Sequence, residues 1–586
     1  MKKKVFIFDG RAFTVSSENT LSDALITPVS RENGVSVFKV DMRIADENAP
    51  GDVDIDWDEP ICGVVGFWAP GKNRGKHIPQ SWYAQRVYSS LTDGAPVAAL
   101  FNTDSRNFRT FALSESEKAF ELSLWLKNDP GRDTLHVRVR AFCNEAPLTD
   151  SFTFYLRIDE RKVPLAQSVK AAGEWWREFY PSDKRKYSES FAGDMPLFSS
   201  WYACFQSPRQ EVLEKELPVI SELGFKSMII DDGWSYNGNG DGAYSYCGSW
   251  EVSPEKFPDM AGFVKKAHSY GIQAALWFPV PFVGKKNPDY EKFRGKMLAD
   301  SMGAGVLDPR YPEVRDYIVN SYKKILKKYG FDGLKLDFLT DFNRPVPEGG
   351  DDGADCVSVA EGVKKLLASI ENEVRGLNPD MLIEYREFYV GPSVIRHCNM
   401  LRVGDCAFDF ITNRNGTVDL RMLGHPLAVH SDMLLWAKDE TPRNIAVMLQ
   451  NVLFAVPQIS VLTAEMSAEQ KAVIKNHLAF FTKHRELLLH GDMTVFDPQS
   501  NYSLVYAENA DLRIGVLYLP RVYKFDGKRV FLFNAGSENG IYIDSDLQGF
   551  AVCRDIFGNI TEKVEFPDGA VKLPVQIGGM AEISVR

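Results

Sequence analysis

The 586-residue chain lacks several features that would assign it quickly to a class. No run of about 18 apolar residues occurs, so no membrane-spanning helix is expected. The eight cysteines, Cys62, Cys143, Cys204, Cys247, Cys356, Cys398, Cys406 and Cys553, include no CxxC pair and form no dense framework, which fits a reducing compartment best. There is no GxxxxGK[ST] loop and no nucleophilic serine elbow, which removes the nucleotide and esterase readings. Basic residues are not in excess. Lys plus Arg total 68 against 79 Asp plus Glu, a net charge of -11, which argues against nucleic acid or an anionic membrane as partner. The start, MKKKVFIFDGR, is basic, but its apolar run from Val5 to Phe8 stops at Asp9, too short for a secretory signal. We read it as the first strand of a cytoplasmic protein.

Metal signals are weak as well. Asn237, Asn239, Asp241 and Gly242 imitate the start of a calcium loop, but Gly248 stands where a bidentate Glu is required, so a polar loop is expected. His425 and His430 have neither an HExxH frame nor cysteine partners, which favours packing or a sugar contact over a metal. No metal and no organic cofactor are expected.

What is present is a globular composition, with 44% hydrophobic and 25% charged residues, enough for a large packed core. Aromatics reach 12%, including 11 Trp, residue types that cover sugar faces but also fill cores. Residues 1–190 read as short alternating strands between Gly, Pro, Asn and Asp clusters, the pattern of a β-sandwich. PLAQSVKAAGEWWREFY predicts a helix over 165–180, and PSDKRKYSES a linker. From residue 196 to 490 short apolar strands alternate with helical patterns at 209–223, 259–270, 313–329, 357–377 and 442–454, with a last helix at 467–489. The eight strands, LFSSWYACF, SMIIDDGW, IQAALWFPV, GLKLDFL, MLIEYREF, NMLRVGD, LAVHSDML and VPQISV, are the number a (β/α)8 TIM barrel needs. PEGGDDGAD, residues 347–355, reads as a solvated loop after the fourth strand, and residues 491–586 as a smaller antiparallel β domain. The fold class is therefore multidomain, a central barrel between two β-units.

Catalytic groups of such barrels project from the C-terminal strand ends. In the fourth strand Lys335 and Asp337 are two residues apart and share a face, as a structural ion pair or as a catalytic site. The second strand ends in Asp231 and Asp232 before Gly233, a turn cap or a hydroxyl-binding pair. The sixth carries Arg402 and Asp405. Glycoside hydrolysis requires two carboxyl groups flanking the scissile bond, and Asp337 with Asp405 meets that need. Asp409 competes with Asp405 for the second role, and an ion pair with Arg402 on the rim is the bland reading of either.

From Ser200 to Asp405 these residues resemble glycoside hydrolase family 36, the bacterial α-galactosidase family. SSWYACF, SMIIDDGW, GSWEVSPEKFPDMAGFVKKAHSYGIQAALWF, LDPRYPEVRDYI and GFDGLKLDFL follow the family's order, and the flanking β-units agree with its layout. The resemblance implies Asp337 as nucleophile and Asp405 as acid/base. It implies Asp231 and Asp232 on the galactose 4- and 6-hydroxyls, Lys335 and Arg402 as sugar contacts, and Trp201, Trp250 and Trp277 as pocket walls. Two segments depart from the family. Pro279-Val280-Pro281 follow Trp277 and Phe278 where much of the family has carboxylates, and the fifth strand, Ile383-Glu384-Tyr385-Arg386-Glu387, lacks the family's Cys-Ser-Gly-Gly-Gly run.

The expected function is a retaining, exo-acting α-galactosidase on oligosaccharides, with burial and Asp337 raising the Asp405 pKa. The alternatives are the same mechanism on α-glucose, α-N-acetylgalactosamine or β-L-arabinopyranose, transglycosylation, and a non-catalytic carbohydrate-binding barrel. By analogy, a β-domain reaching over a neighbouring barrel would make a homo-oligomer.

Overall fold

Along Thr134–Ala141 the alternation buries Leu135, Val137, Val139 and Ala141 and leaves His136, Arg138 and Arg140 half-buried on the other face. The antiparallel neighbour Val53–Pro60 sets acids opposite those bases. Arg140 pairs with Asp54 and Arg138 with Asp56, and His136 stands between Asp56 and Asp58. Hydrophobic and ionic faces thus follow one period-two pattern. The computed structural model describes residues 3–18, 20–71, 75–78, 83–127, 134–143, 145–181, 191–235, 244–248, 250–347, 352–424 and 426–586. The linker residues 182–190, the loop with Asn237, Asn239, Asp241 and Gly242, residues 348–351 and His425 lie outside them.

Two six-stranded antiparallel sheets form the N-terminal sandwich over a core that includes Phe13, Trp57, Phe111 and Phe154. The barrel strands are β1 (Leu197–Ser199), β2 (Ser227–Ile230), β3 (Gln273–Pro279), β4 (Gly333–Asp337), β5 (Leu382–Arg386), β6 (Met400–Arg402), β7 (Ala428–His430) and β8 (Gln458–Ile459). All pair in parallel, β8 pairs with β1, and bridges from His430 to Val456 and Leu434 to Ile459 close the ring. Several strands are shorter than their apolar runs. LFSSWYACF gives the three residues of β1 and then a helical turn, Trp201–Cys204.

Helices form at Gln210–Leu223, Met260–Ser269, Pro312–Tyr329, Val359–Leu377, Pro442–Asn451 and Ala468–His490, the last opened by a capping box between Ser467 and Gln470. Besides the short helix Pro392–Ile395 between β5 and β6, two larger elements are not expected from the sequence. A three-stranded antiparallel insertion, Phe282–Gly284, Met297–Ser301 and Ala304–Leu307, follows β3. The helix Phe410–Met422 precedes β7, and its buried face includes Asn413, Arg414, Asn415, Thr417, Asp419 and Arg421, so it has no apolar stripe to detect.

Asn413 and Arg414 bond within the barrel, to Asp432 and Asn451, whereas Asp419 and Arg421 serve contacts between units. Asp419 accepts hydrogen bonds from Trp68 Nε1 at 2.7 Å and Lys76 Nζ at 3.0 Å, both from the N-terminal side, and from the Tyr502 hydroxyl on the C-terminal side. Arg421 Nη2 donates to the Gly491 carbonyl at 2.7 Å. The C-terminal unit has a seven-stranded and a three-stranded sheet, antiparallel except for Leu512–Leu517 beside Arg529–Asn534 and Val522–Phe525 beside Ile541–Ser545. No helix of the described residues is long and apolar enough to cross a membrane.

Candidate active site

Asp337 ends β4 and is 7% exposed. One carboxylate oxygen, Oδ1, accepts Phe338 N at 2.7 Å and Arg386 Nε at 2.5 Å, while Oδ2 accepts Trp277 Nε1 at 3.0 Å. Burial alone would raise this carboxyl, but the charges of Arg386 and Lys335 and the Trp277 bond hold it well below the usual carboxylate range. Asp337 is therefore an anion across the working pH range. Of the two readings of Lys335 and Asp337, the ion pair within β4 does not form. Lys335 Nζ instead crosses to β2 and donates to Asp231 Oδ2 at 2.7 Å.

Asp231 and Asp232 are both buried at the tip of β2. Asp232 accepts Gln206 Nε2 at 2.6 Å and lies within the field of the Lys256 ammonium. Burial, reinforced by Asp231 and opposed by Gln206, pushes its carboxyl up to about 6. The turn beyond it needs glycine: Gly233 has φ +97°, and a Cβ there would lie 2.4 Å from the Gln206 carbonyl oxygen.

Arg402, at the end of β6, is 1% exposed and serves three acids. Its Nη2 donates to Asp405 Oδ1 at 2.9 Å, its Nη1 to Asp432, and its Nε lies 3.6 Å from Glu384 Oε1. Asp405 is half exposed, with 53% of its side chain accessible, so it stands at the barrel mouth rather than in the wall. The expectation that its surroundings raise its pKa is corrected. Burial pulls upward, as does Asp337, but Arg402, Arg386 and Lys335 together hold it below the ordinary value. One neighbouring anion is outweighed by two guanidiniums and an ammonium. Asp409 is N-cap of Phe410–Met422, accepting from Thr412 N at 2.9 Å, which accounts for its presence.

Asp432 was missed. It lies two residues past β7, fully buried, and accepts Tyr202 Oη at 3.0 Å and Cys406 N at 2.7 Å besides Arg402. The signal was available, since it is an acid at a strand end like Asp405. His430 is neutral. Burial pushes it down to about 3, so Nε2–H donates to the Gly193 carbonyl at 2.8 Å and Nδ1 accepts from Gln458 Nε2 at 3.1 Å. Gln458 Nε2 also donates to Glu384 Oε2 at 2.5 Å.

The three tryptophans separate. Trp277 touches Asp337 directly and stacks on Tyr244 at 5.9 Å. Tyr244, which nothing in its polar loop singled out, also packs on Phe338. Trp201 is half-buried beside β1, edge-on to Phe205. Trp250 is corrected: its ring is spent on core packing against Trp234, Phe278 and Tyr322. Of the two departures, Pro279 lies in β3 and Val280 N bonds the Asp337 carbonyl, whereas Arg386 reaches the Asp337 carboxylate itself.

The melibiase sequence profile matches residues 181–378. Alpha-galactosidase AgaA of Geobacillus stearothermophilus is 26% identical over 149 residues, covering 24% of this chain and 20% of that protein. Probable alpha-galactosidase C of Aspergillus oryzae is 23% identical over 351 residues, covering 55% and 45%. The chain thus aligns with less than half the length of either relative. Among solved structures, the alpha-galactosidase from Lactobacillus brevis superposes with a TM-score of 0.66 at 14% identity, covering 100% of this chain and 83% of that one, a likeness of fold. Residues 181–378 are therefore a melibiase-family domain, set in a chain with the multidomain fold of the family 36 α-galactosidases.

Proposed function

We propose that this chain is a retaining, exo-acting glycoside hydrolase that removes terminal α-linked galactose from oligosaccharides, with its chemistry in the barrel of residues 196–490 between β-units 1–190 and 491–586. The observation that carries the reading is Asp337, an ionised carboxylate held on both oxygens at the end of β4, within the field of the half-exposed Asp405. The names of the relatives supply the sugar. Asp337 attacks the anomeric carbon as the bond to the leaving oxygen breaks and Asp405 gives that oxygen its proton. Asp405 then takes a proton from water, which attacks the same carbon and releases Asp337. Asp231 and Asp232 accept from sugar hydroxyls, and Lys335 and Arg402 hold the acids in place and contact the sugar. Trp277 and Trp201 wall the pocket. The free cysteines favour a cytoplasmic location.

A second reading keeps this chemistry on another sugar, α-glucose, α-N-acetylgalactosamine or β-L-arabinopyranose. It is favoured by Arg386, which reaches the Asp337 carboxylate, and by Pro279-Val280-Pro281, the segments where the sequence departs from the family. A panel of nitrophenyl glycosides tests both. α-Galactoside turnover at least tenfold above the others supports the first, and no turnover of any member rejects both.

The Asp405 environment also fixes a pH dependence. In the empty enzyme Asp405 loses its proton below the ordinary carboxylate value, so kcat/KM, which reports free enzyme, falls as pH rises through that low value. Bound sugar removes the half-exposed carboxyl from water, which raises its pKa. The basic limb of kcat is therefore expected at higher pH than that of kcat/KM, and coincident limbs contradict this.

A further inference from the structure

We propose that Arg386 is a positioning residue that decides which oxygen of Asp337 attacks and speeds departure of Asp337 in the second step. The inference rests on reading Asp337 as nucleophile. A carboxylate oxygen offers two lone-pair sites. On Oδ1 both are filled, by Phe338 N at 2.7 Å and Arg386 Nε at 2.5 Å. Oδ2 accepts Trp277 Nε1 at 3.0 Å and has no other partner among the described residues, so one site stays open for the anomeric carbon. Arg386 is itself held, with Nη1 donating to the Glu387 carbonyl at 3.0 Å and the guanidinium over the Phe338 ring.

The two chemical steps use this clamp unequally. In the first, Oδ2 forms its bond to the anomeric carbon and Oδ1 becomes the ester carbonyl, still accepting from Phe338 and Arg386. Asp337 gives up its negative charge there, so the cation beside it lends no help. In the second, water adds to the anomeric carbon, the bond to Oδ2 breaks, and its electron pair returns to a carboxylate next to Arg386. A charge-assisted donor favours that charge as it develops. Arg386 therefore accelerates breakdown of the glycosyl-enzyme more than its formation. The other groups facing Asp337 are Lys335 on its own strand, Asp232 from β2, Tyr244, Tyr389, and Asp405 beyond β6. None of these donates to Oδ1.

The test compares wild type with Arg386→Met and Arg386→Lys on an activated nitrophenyl glycoside from the panel. For Arg386→Met we expect kcat to fall roughly 10- to 100-fold. KM is expected to fall in step, kcat/KM to stay within about threefold, and a nitrophenol burst equal to the enzyme concentration to appear. Arg386→Lys is expected to recover most of kcat. A fall in kcat/KM with KM unchanged or raised, no burst, or no change in kcat overturns the proposal. A second measurement needs no turnover: carboxyl-carbon NMR of protein labelled at aspartate, with the Asp337 signal identified by its loss in Asp337→Asn. In Arg386→Met this carboxyl is expected to titrate at least one pH unit higher than in wild type, and an unshifted titration overturns the clamp. If wild type cleaves no glycoside, the functional reading fails while the titration still decides whether Arg386 holds Asp337.

Discussion

Replacing Asp337 by alanine is expected to lower kcat by at least about 10³-fold, the scale on which loss of a covalent nucleophile acts. Azide is expected to restore part of the activity. The truncation leaves a hole beneath the anomeric carbon flanked by Arg386 and Lys335, cations that have lost their shared anion and attract a small one. Azide enters from the Asp337 side and attacks the face that Asp337 attacked, so the product is the glycosyl azide of inverted configuration. Folding survives the change because Lys335 keeps its bond to Asp231 and Arg386 its bond to the Glu387 carbonyl. Retained activity without azide, or rescue without an azide adduct, would remove Asp337 from the mechanism.

The second large effect lies away from the chemistry. Asp419→Ala is expected to destabilise the protein by about 3–5 kcal/mol, because it removes the buried carboxylate that pairs with the Lys76 ammonium, itself 2% exposed. The Trp68 indole and the Tyr502 hydroxyl lose the same acceptor. Since those groups come from both β-units and Asp419 from the barrel, the loss is expected in urea as a lower midpoint and as a broader or divided transition. Asp419→Asn keeps an oxygen for Trp68 and Tyr502 but turns a donor toward Lys76, so it is expected to fall between wild type and alanine. A midpoint equal to wild type for Asp419→Ala would show that the junction is held by apolar packing alone.

Sequence pattern carried most of the architecture because the barrel strands are short buried runs rich in apolar residues and the helices mostly have a stripe. Pro312–Tyr329 buries Val314, Ile318, Tyr322 and Ile325 at helical spacing and was legible. Phe410–Met422 was not, since burial there is offset by hydrogen bonds to partners on other elements, from 19 residues away at Asp432 to 351 at Trp68. In the site, period-two geometry put Lys335 and Asp337 on one face, but could not say which acid Lys335 would choose across the barrel. Arg386 was visible as a bulky departure from the family, and its contact with Asp337 became visible only when β4 and β5 were laid side by side. Trp250 shows the opposite limit. An aromatic in a matching motif carried no information on whether its ring faced sugar or core.

The account turns on a covalent bond to Asp337, and the most direct test is to trap it. Incubation with a slowly turned over 2-deoxy-2-fluoro galactosyl donor bearing a good leaving group, followed by peptide mass spectrometry, should place one glycosyl group on the peptide containing Asp337, with activity lost in proportion. A label on Asp405 or on another carboxylate, or steady turnover of the donor with no labelled peptide, would contradict it.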